Sequence, residues 1–196
     1  MGQGVTLHDR LGRDRLTAAF EPLPLDRALV LIEDAIRETA RACLGALPVE
    51  VELTVCGDGE MKRLNFDHMG ERGPTDVLAF PLHSWSIDNG RSYLADDDGV
   101  TPPGEALLLG DVVIDVDQAV RQAAEGDWSV LEEVVLLAIH GTLHLLGHDH
   151  LDLQDEEAMR AVERHVLTNL HRRHHEVSWS PGSLFDRAGH AVTSGS

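Results

Sequence analysis

Cysteine is scarce in this chain. Its 196 residues include only Cys43 and Cys56, too few for a disulfide framework, so both read as small buried hydrophobes with no assigned function. Long apolar runs are missing as well. The longest, Val134 to Ile139, is far short of the roughly 20 residues that span a bilayer, and the N-terminal stretch MGQGVTLHDRLGRDRL has no apolar signal core. A cytosolic protein without a membrane helix is the expectation. Positive charge is also in short supply: 16 Lys and Arg against 34 Asp and Glu leave a formal net charge of −18. That balance favours solubility and counts against long-range attraction to nucleic acid or anionic lipid.

What is present suffices for one core. A chain of this length suggests one domain with extensions, and a hydrophobic content of 42% is ordinary for a globular fold. Residues 1–23 lack sustained periodicity and 176–196 are rich in Gly, Ser and Pro, so both read as extensions of a domain over 24–175. Within it, Ile87 to Glu105 sets Asp88, Asp96, Asp97, Asp98 and Glu105 against Arg91 alone and reads as the centre of a flexible acidic insertion, about 83–106.

Periodicity supplies the elements. Leu29, Ile32, Ile36, Ala40 and Cys43 recur at helical spacing and predict a helix over Asp26 to Leu44. Val49 to Val55 alternates apolar with polar and predicts a strand with one buried face. A short helix over Asp58 to Phe66 and strands over Val77 to Phe80 and Leu107 to Ile114 follow, then a helix over Asp117 to Glu125. Ser129 and Glu132 stand at capping-box spacing before a helix over Val130 to Leu146, apolar on almost every side and therefore internal. Gly147 is its expected stop, and Met159, Val162, Val166 and Leu170 stripe a last helix capped near Asp152. The expected fold is α+β: a small mixed β-sheet packed with helices around a buried central helix.

Twelve histidines is a high count, and four of them fall between His140 and His150. His140 and His144 are one helical turn apart on the central helix, with β-carbons about 5–6 Å apart, so two imidazoles can share one ion. Gly147 lets the chain turn back, and His150 arrives where it can supply a third ligand. His148 competes for that position, but it follows Gly147 at once and is expected to point outward, so His150 is preferred. Three imidazoles with an open fourth position are the donor set of a catalytic rather than a structural zinc site, with one Zn2+ per chain. Asp149 is either a carboxylate orienting a ligand imidazole or a solvated turn residue. His165, His171, His174 and His175 read as structural, at the end of a helix whose dipole favours positive charge.

The stretch His140-Gly-Thr-Leu-His144-Leu-Leu-Gly-His148-Asp-His150 closely resembles the His-Gly-x-Leu-His-Leu-x-Gly-Tyr-Asp-His signature of the YbeY family of zinc-dependent endoribonucleases, or rRNA maturation factors. Leu64-Asn65, Pro74 to Pro81 and Leu109 to Ile114 resemble the same family in the same order, so the likeness covers roughly residues 26–171. It implies an α+β fold, zinc on His140, His144 and His150, and single-strand-specific endoribonuclease activity in bacterial ribosome biogenesis. That role includes maturation of the 3′ end of small-subunit ribosomal RNA and ribosome quality control, with ribosomal RNA, ribosomal subunits or a ribosomal protein as partners. Two positions depart from the pattern. His148 replaces the signature Tyr, and Met69 stands where the family often has an Arg, a phosphate contact, five residues before Pro74-Thr75-Asp76.

Zinc on three histidines acidifies water and polarises a phosphodiester or amide oxygen, so hydrolysis is the expected reaction class. A metallopeptidase is the enzymatic alternative, because His-Glu-x-x-His enzymes use the same i, i+4 pair. Here Gly141 holds the place of their general-base Glu, leaving Asp149 or Asp111 as the carboxylates that could act instead. The alternative outside catalysis is a ribosome assembly factor with a structural zinc. Lys62, Arg63 and Arg72 are the bases expected to offset the acidic surface near the site.

Overall fold

The computed structural model describes residues 4–95, 105–149, 153–175 and 177. In chain order its elements are β1 (Gly4–Asp9), α1 (Arg13–Phe20), α2 (Leu25–Leu44), β2 (Val49–Cys56), α3 (Asp58–Met69), β3 (Val77–Pro81), β4 (Trp85–Asp88), β5 (Arg91–Leu94), β6 (Leu107–Asp115), α4 (Val116–Gly126), α5 (Val130–Leu145) and α6 (Leu153–Arg173). Four strands form a mixed sheet in the order β1-β2-β6-β3. The first three run parallel, and β3 is antiparallel to β6. This is the expected α+β architecture.

The central helix is internal for the reason its composition gives. Every residue of α5 except Val130 and His144 is buried, and a helix apolar all round finds its lowest free energy inside the core. Its start is the expected capping box: Ser129 Oγ accepts from the Glu132 amide at 3.2 Å, and the Ser129 amide donates to Glu132 Oε2 at 2.8 Å. The buried Glu133 is answered by Trp128, whose Nε1 donates to Oε2 at 2.7 Å. The helix α2 turns Ala28, Leu31, Ile32, Ala35, Ile36 and Cys43 inward and packs on both α5 and α6. The other side of α5 lies on β6 and β3. There the helix comes so close that a side chain at Gly141 would meet Val112 Cγ1 at 2.7 Å.

Two segments differ from expectation. Residues 4–20 are integral to the domain rather than an extension. The strand β1 pairs with β2 from Gly4–Glu50 to Asp9–Val55, and Leu16 and Phe20 of α1 are buried in the main core. Six residues of strand and eight of helix are too short for periodicity to register; a sheet edge and a core face stabilise them instead. The acidic insertion begins as an ordered hairpin, with Trp85–Leu94 and Asp88–Arg91 as terminal pairs. Its turn is Asn89-Gly90, both at positive φ (49° and 74°), the combination that fits the right-handed twist of paired strands. Residues 96–104 of the insertion lie outside the described residues, as do 178–196 of the tail and the expected cap at Asp152. Among the described residues, no single helix is long and apolar enough to cross a membrane.

Candidate metal centre

The C-terminal half of α5 brings the predicted pair together. His140 Nε2 and His144 Nε2 lie 3.0 Å apart, with ring centroids 4.7 Å apart and planes at 77°. Two nitrogens bound to one tetrahedral zinc at about 2.0–2.1 Å stand about 3.3 Å from each other, so the pair already has nearly the separation that one shared ion requires. His140 is 6% exposed and His144 half-buried, which sets one ligand in the core and the other at its margin.

A carboxylate that the sequence reading did not single out fixes the inner ring. Glu163, on α6 and 5% exposed, lies 2.9 Å from His140 Nδ1 through Oε1. A carboxylate can only accept, so Nδ1 donates to it and Nε2 is the nitrogen that faces His144. Glu163 lies four residues after the buried Met159, one helical turn along the same face of α6, and that spacing was the available signal. Asp149, the carboxylate the sequence offered for this role, is half-buried beyond the helix end.

The chain leaves α5 through a Schellman turn. The Gly147 amide donates to the His144 carbonyl at 3.1 Å and the His148 amide to the Leu143 carbonyl at 3.0 Å, which satisfies carbonyls that a helix end otherwise leaves bare. Gly147 has φ +82°, and a Cβ there would stand 2.6 Å from the Trp85 Cβ. Both the turn and the approach of the hairpin therefore need glycine. His150 lies outside the described residues.

His148 departs from expectation: it points inward, at 4% exposure, because Cys43 and Ser92 receive its ring. Nε2 stands 3.5 Å from Cys43 Sγ and 3.4 Å from Ser92 Oγ. Burial holds its pKa below the ordinary histidine value. Of the bases expected near the site, Lys62 and Arg63 are engaged within α3, with Asp58 at 3.8 Å and Glu60 at 3.6 Å, and Arg72 is exposed. Asp111 is exposed on β6. Met69, the last residue of α3, is 49% exposed, and Phe66 one turn before it is 54% exposed. His174 bonds Asp34 at 2.9 Å and Arg173 bonds Glu38 at 2.9 Å, tying the end of α6 to α2 as structural residues.

A second cluster of ligand-type groups lies elsewhere. Single oxygens of Asp58, Asp115 and Asp117 come within 4.8 Å of one another. Asp115 caps α4, its Oδ1 accepting from the Asp117 and Gln118 amides at 3.0 and 3.3 Å. Its carboxyl is fully buried, and burial, with Asp58 beside it, pushes the pKa up to about 7.

Two imidazoles converging from a buried helix, one of them oriented by a carboxylate, form the kind of donor set that metal-dependent hydrolases use. The family model described as endoribonuclease YbeY matches residues 20–171. A Roseiflexus castenholzii protein named endoribonuclease YbeY is 39% identical over 141 residues, covering 71% of this chain and 82% of that protein. Its namesakes from Desulfitobacterium hafniense and Moorella thermoacetica are each 36% identical, over 71% and 75% of this chain and 83% and 90% of theirs. The chain belongs to the endoribonuclease YbeY family. A solution structure of TM1509 from Thermotoga maritima is also similar, with a TM-score of 0.47 at 21% identity over 91% of this chain and 99% of that one.

Proposed function

We propose that the protein is a zinc-dependent, single-strand-specific endoribonuclease that matures the 3′ end of small-subunit ribosomal RNA and serves ribosome quality control in the bacterial cytoplasm. The observation that carries this reading is the convergence of His140 Nε2 and His144 Nε2 at 3.0 Å, with Glu163 behind His140, in a member of the YbeY family. His150, which follows the turn at Gly147 in the sequence, is the proposed third ligand, with one zinc per chain. Zinc bound there supplies Lewis acidity toward a phosphodiester and acidifies water to near neutrality. The rest belongs to the chain. Glu163 keeps the His140 proton on Nδ1, and the core around α5 keeps bulk water from that ring. Asp149 is the proposed outer carboxylate of the turn. Ribosomal RNA within the subunit, or a ribosomal protein that docks the enzyme, are the proposed partners.

The peptidase alternative loses its support at residue 141. A side chain there points at Val112 and Val77 of the sheet, so the helix cannot place a general-base Glu over the ion. The assembly-factor alternative separates from catalysis by experiment. Wild-type protein should hold one zinc per chain and cleave single-stranded RNA, and His140→Ala should lose both while remaining folded by circular dichroism. A folded His140→Ala variant that still cleaves RNA rejects the metal mechanism, and zinc binding without cleavage assigns the ion a structural role.

A further inference from the structure

The Tyr of the resembled signature is replaced by His148, and the structure shows what the replacement joins. Three elements meet at its ring: Cys43 from the last turn of α2, Ser92 from β5 of the hairpin, and the turn that follows α5. All three side chains are at least 95% buried, at 1%, 5% and 4% exposure for Cys43, Ser92 and His148. The Ser92 hydroxyl donates to the Leu146 carbonyl at 2.8 Å. That uses its only proton, so toward His148 Ser92 Oγ acts as acceptor. His148 therefore carries its proton on Nε2, shared between Ser92 Oγ at 3.4 Å and Cys43 Sγ at 3.5 Å. Cys43, its thiol pushed up to about 12 by burial, is an uncharged weak acceptor suited to that place. On the same side, Trp85 of β4 seats its Cβ where only a glycine at 147 leaves room.

We infer that Ser92, with Cys43 and His148, acts as a set of positioning residues, a buried strut through which the hairpin holds the turn Leu146 to Asp149, and that zinc affinity depends on this strut. The inference rests on the zinc site proposed above. Its physical basis is that a ligand one residue past a turn is only as well placed as that turn. Carbonyl 146 and ring 148 are the two points at which the hairpin grips it. Loss of a partner that orients a metal ligand typically weakens metal binding roughly 10–100-fold.

The test measures zinc affinity of the full chain by competition with a chromophoric chelator, for wild type, Ser92→Ala, Ser92→Thr and Cys43→Ala. Ser92→Ala should bind zinc roughly 10–100-fold more weakly, Ser92→Thr should recover most of that loss through its hydroxyl, and RNA cleavage by Ser92→Ala should return in excess zinc. Amide exchange at residues 147–149 in metal-free Ser92→Ala should quicken relative to wild type. If Ser92→Ala fails to fold, Cys43→Ala carries the same test. Variants that match wild-type affinity within about twofold, or whose cleavage stays lost at saturating zinc, overturn the inference. Wild-type protein that binds no zinc, or that binds it equally well after His140→Ala, overturns the site itself, a distinguishable failure.

Discussion

The histidine turn at the end of α5 and the aspartate cluster between α3 and α4 both gather ligand-type side chains, yet they answer their buried charge in opposite ways. Asp58 receives the two terminal guanidinium nitrogens of Arg121, at 2.6 and 3.3 Å. Asp117 receives Arg15 at 2.5 Å and the Asp58 amide at 3.2 Å. Their capacity is filled by cations and helix amides. Within the cluster only Asp115 Oδ2 has no hydrogen-bond partner among the described residues, and its carboxyl, pushed up to about 7 by burial, holds a proton below that pH. At the histidine turn one buried carboxylate, Glu163, holds the His140 ring by Nδ1 with Nε2 turned toward His144 Nε2. Proximity of donors is therefore a weak criterion for a metal site; what separates the two regions is what stands against the donors, arginines and helix amides at the aspartates and a carboxylate behind the inner imidazole at the histidines.

The strongest challenge to that contrast is Glu163→Ala, expected to weaken zinc binding roughly 10–100-fold, while Asp58→Asn leaves it within about twofold. Competition with a chelator measures both, and equal losses would erase the distinction between the regions. Next is the pH dependence of stability. Asp115 titrates near 7 when folded against 3.8 for its ordinary value, so the folded state binds the extra proton between these limits. Stability should decline as pH rises from about 4 to about 7 and level off above. Asp58, held below its ordinary value by Arg121, works in the other direction, its contribution being lost only in acid. Urea denaturation of metal-free protein at pH 5 and pH 8 should show the decline in wild type and a flattened profile in Asp115→Asn; an unchanged slope would assign the decline to other groups. The smallest effect is expected at the exposed margin. Met69→Arg adds one cation where the family often carries Arg. It should tighten single-stranded RNA binding a few-fold and steepen its salt dependence by roughly 0.7 in log–log slope, the increment for one phosphate contact. A slope unchanged by the substitution would place position 69 away from the RNA.

Legibility followed the length of the pattern. The helix striped by Ile32, Ile36 and Cys43, the Ser129 capping box and the stop at Gly147 were all readable, because each is specified by neighbours within one or two turns. The same holds for His140 and His144, whose spacing alone puts them on one face. Short pieces stabilised by distant partners were not readable. β1 depends on the edge of β2, and α1 on the core beneath Leu16 and Phe20. The hairpin did carry a local signal, Asn89-Gly90, but the acidic residues around it masked that signal. Glu163 and Ser92 reach their partners from 23 and 54 residues away, so the spacing from Met159 could set Glu163 on the buried face of α6 but could not name its partner.

By itself, then, the sequence determined which helix is buried, where it begins and ends, and that two imidazoles project from one of its faces, since backbone periodicity and capping act within a few residues. Tertiary structure alone decided which carboxylate holds the inner imidazole, that His148 turns into the core rather than toward solvent, and that the aspartates find their own counterions. Those outcomes depend on desolvation and on hydrogen bonds between elements, which exist only once the chain has packed.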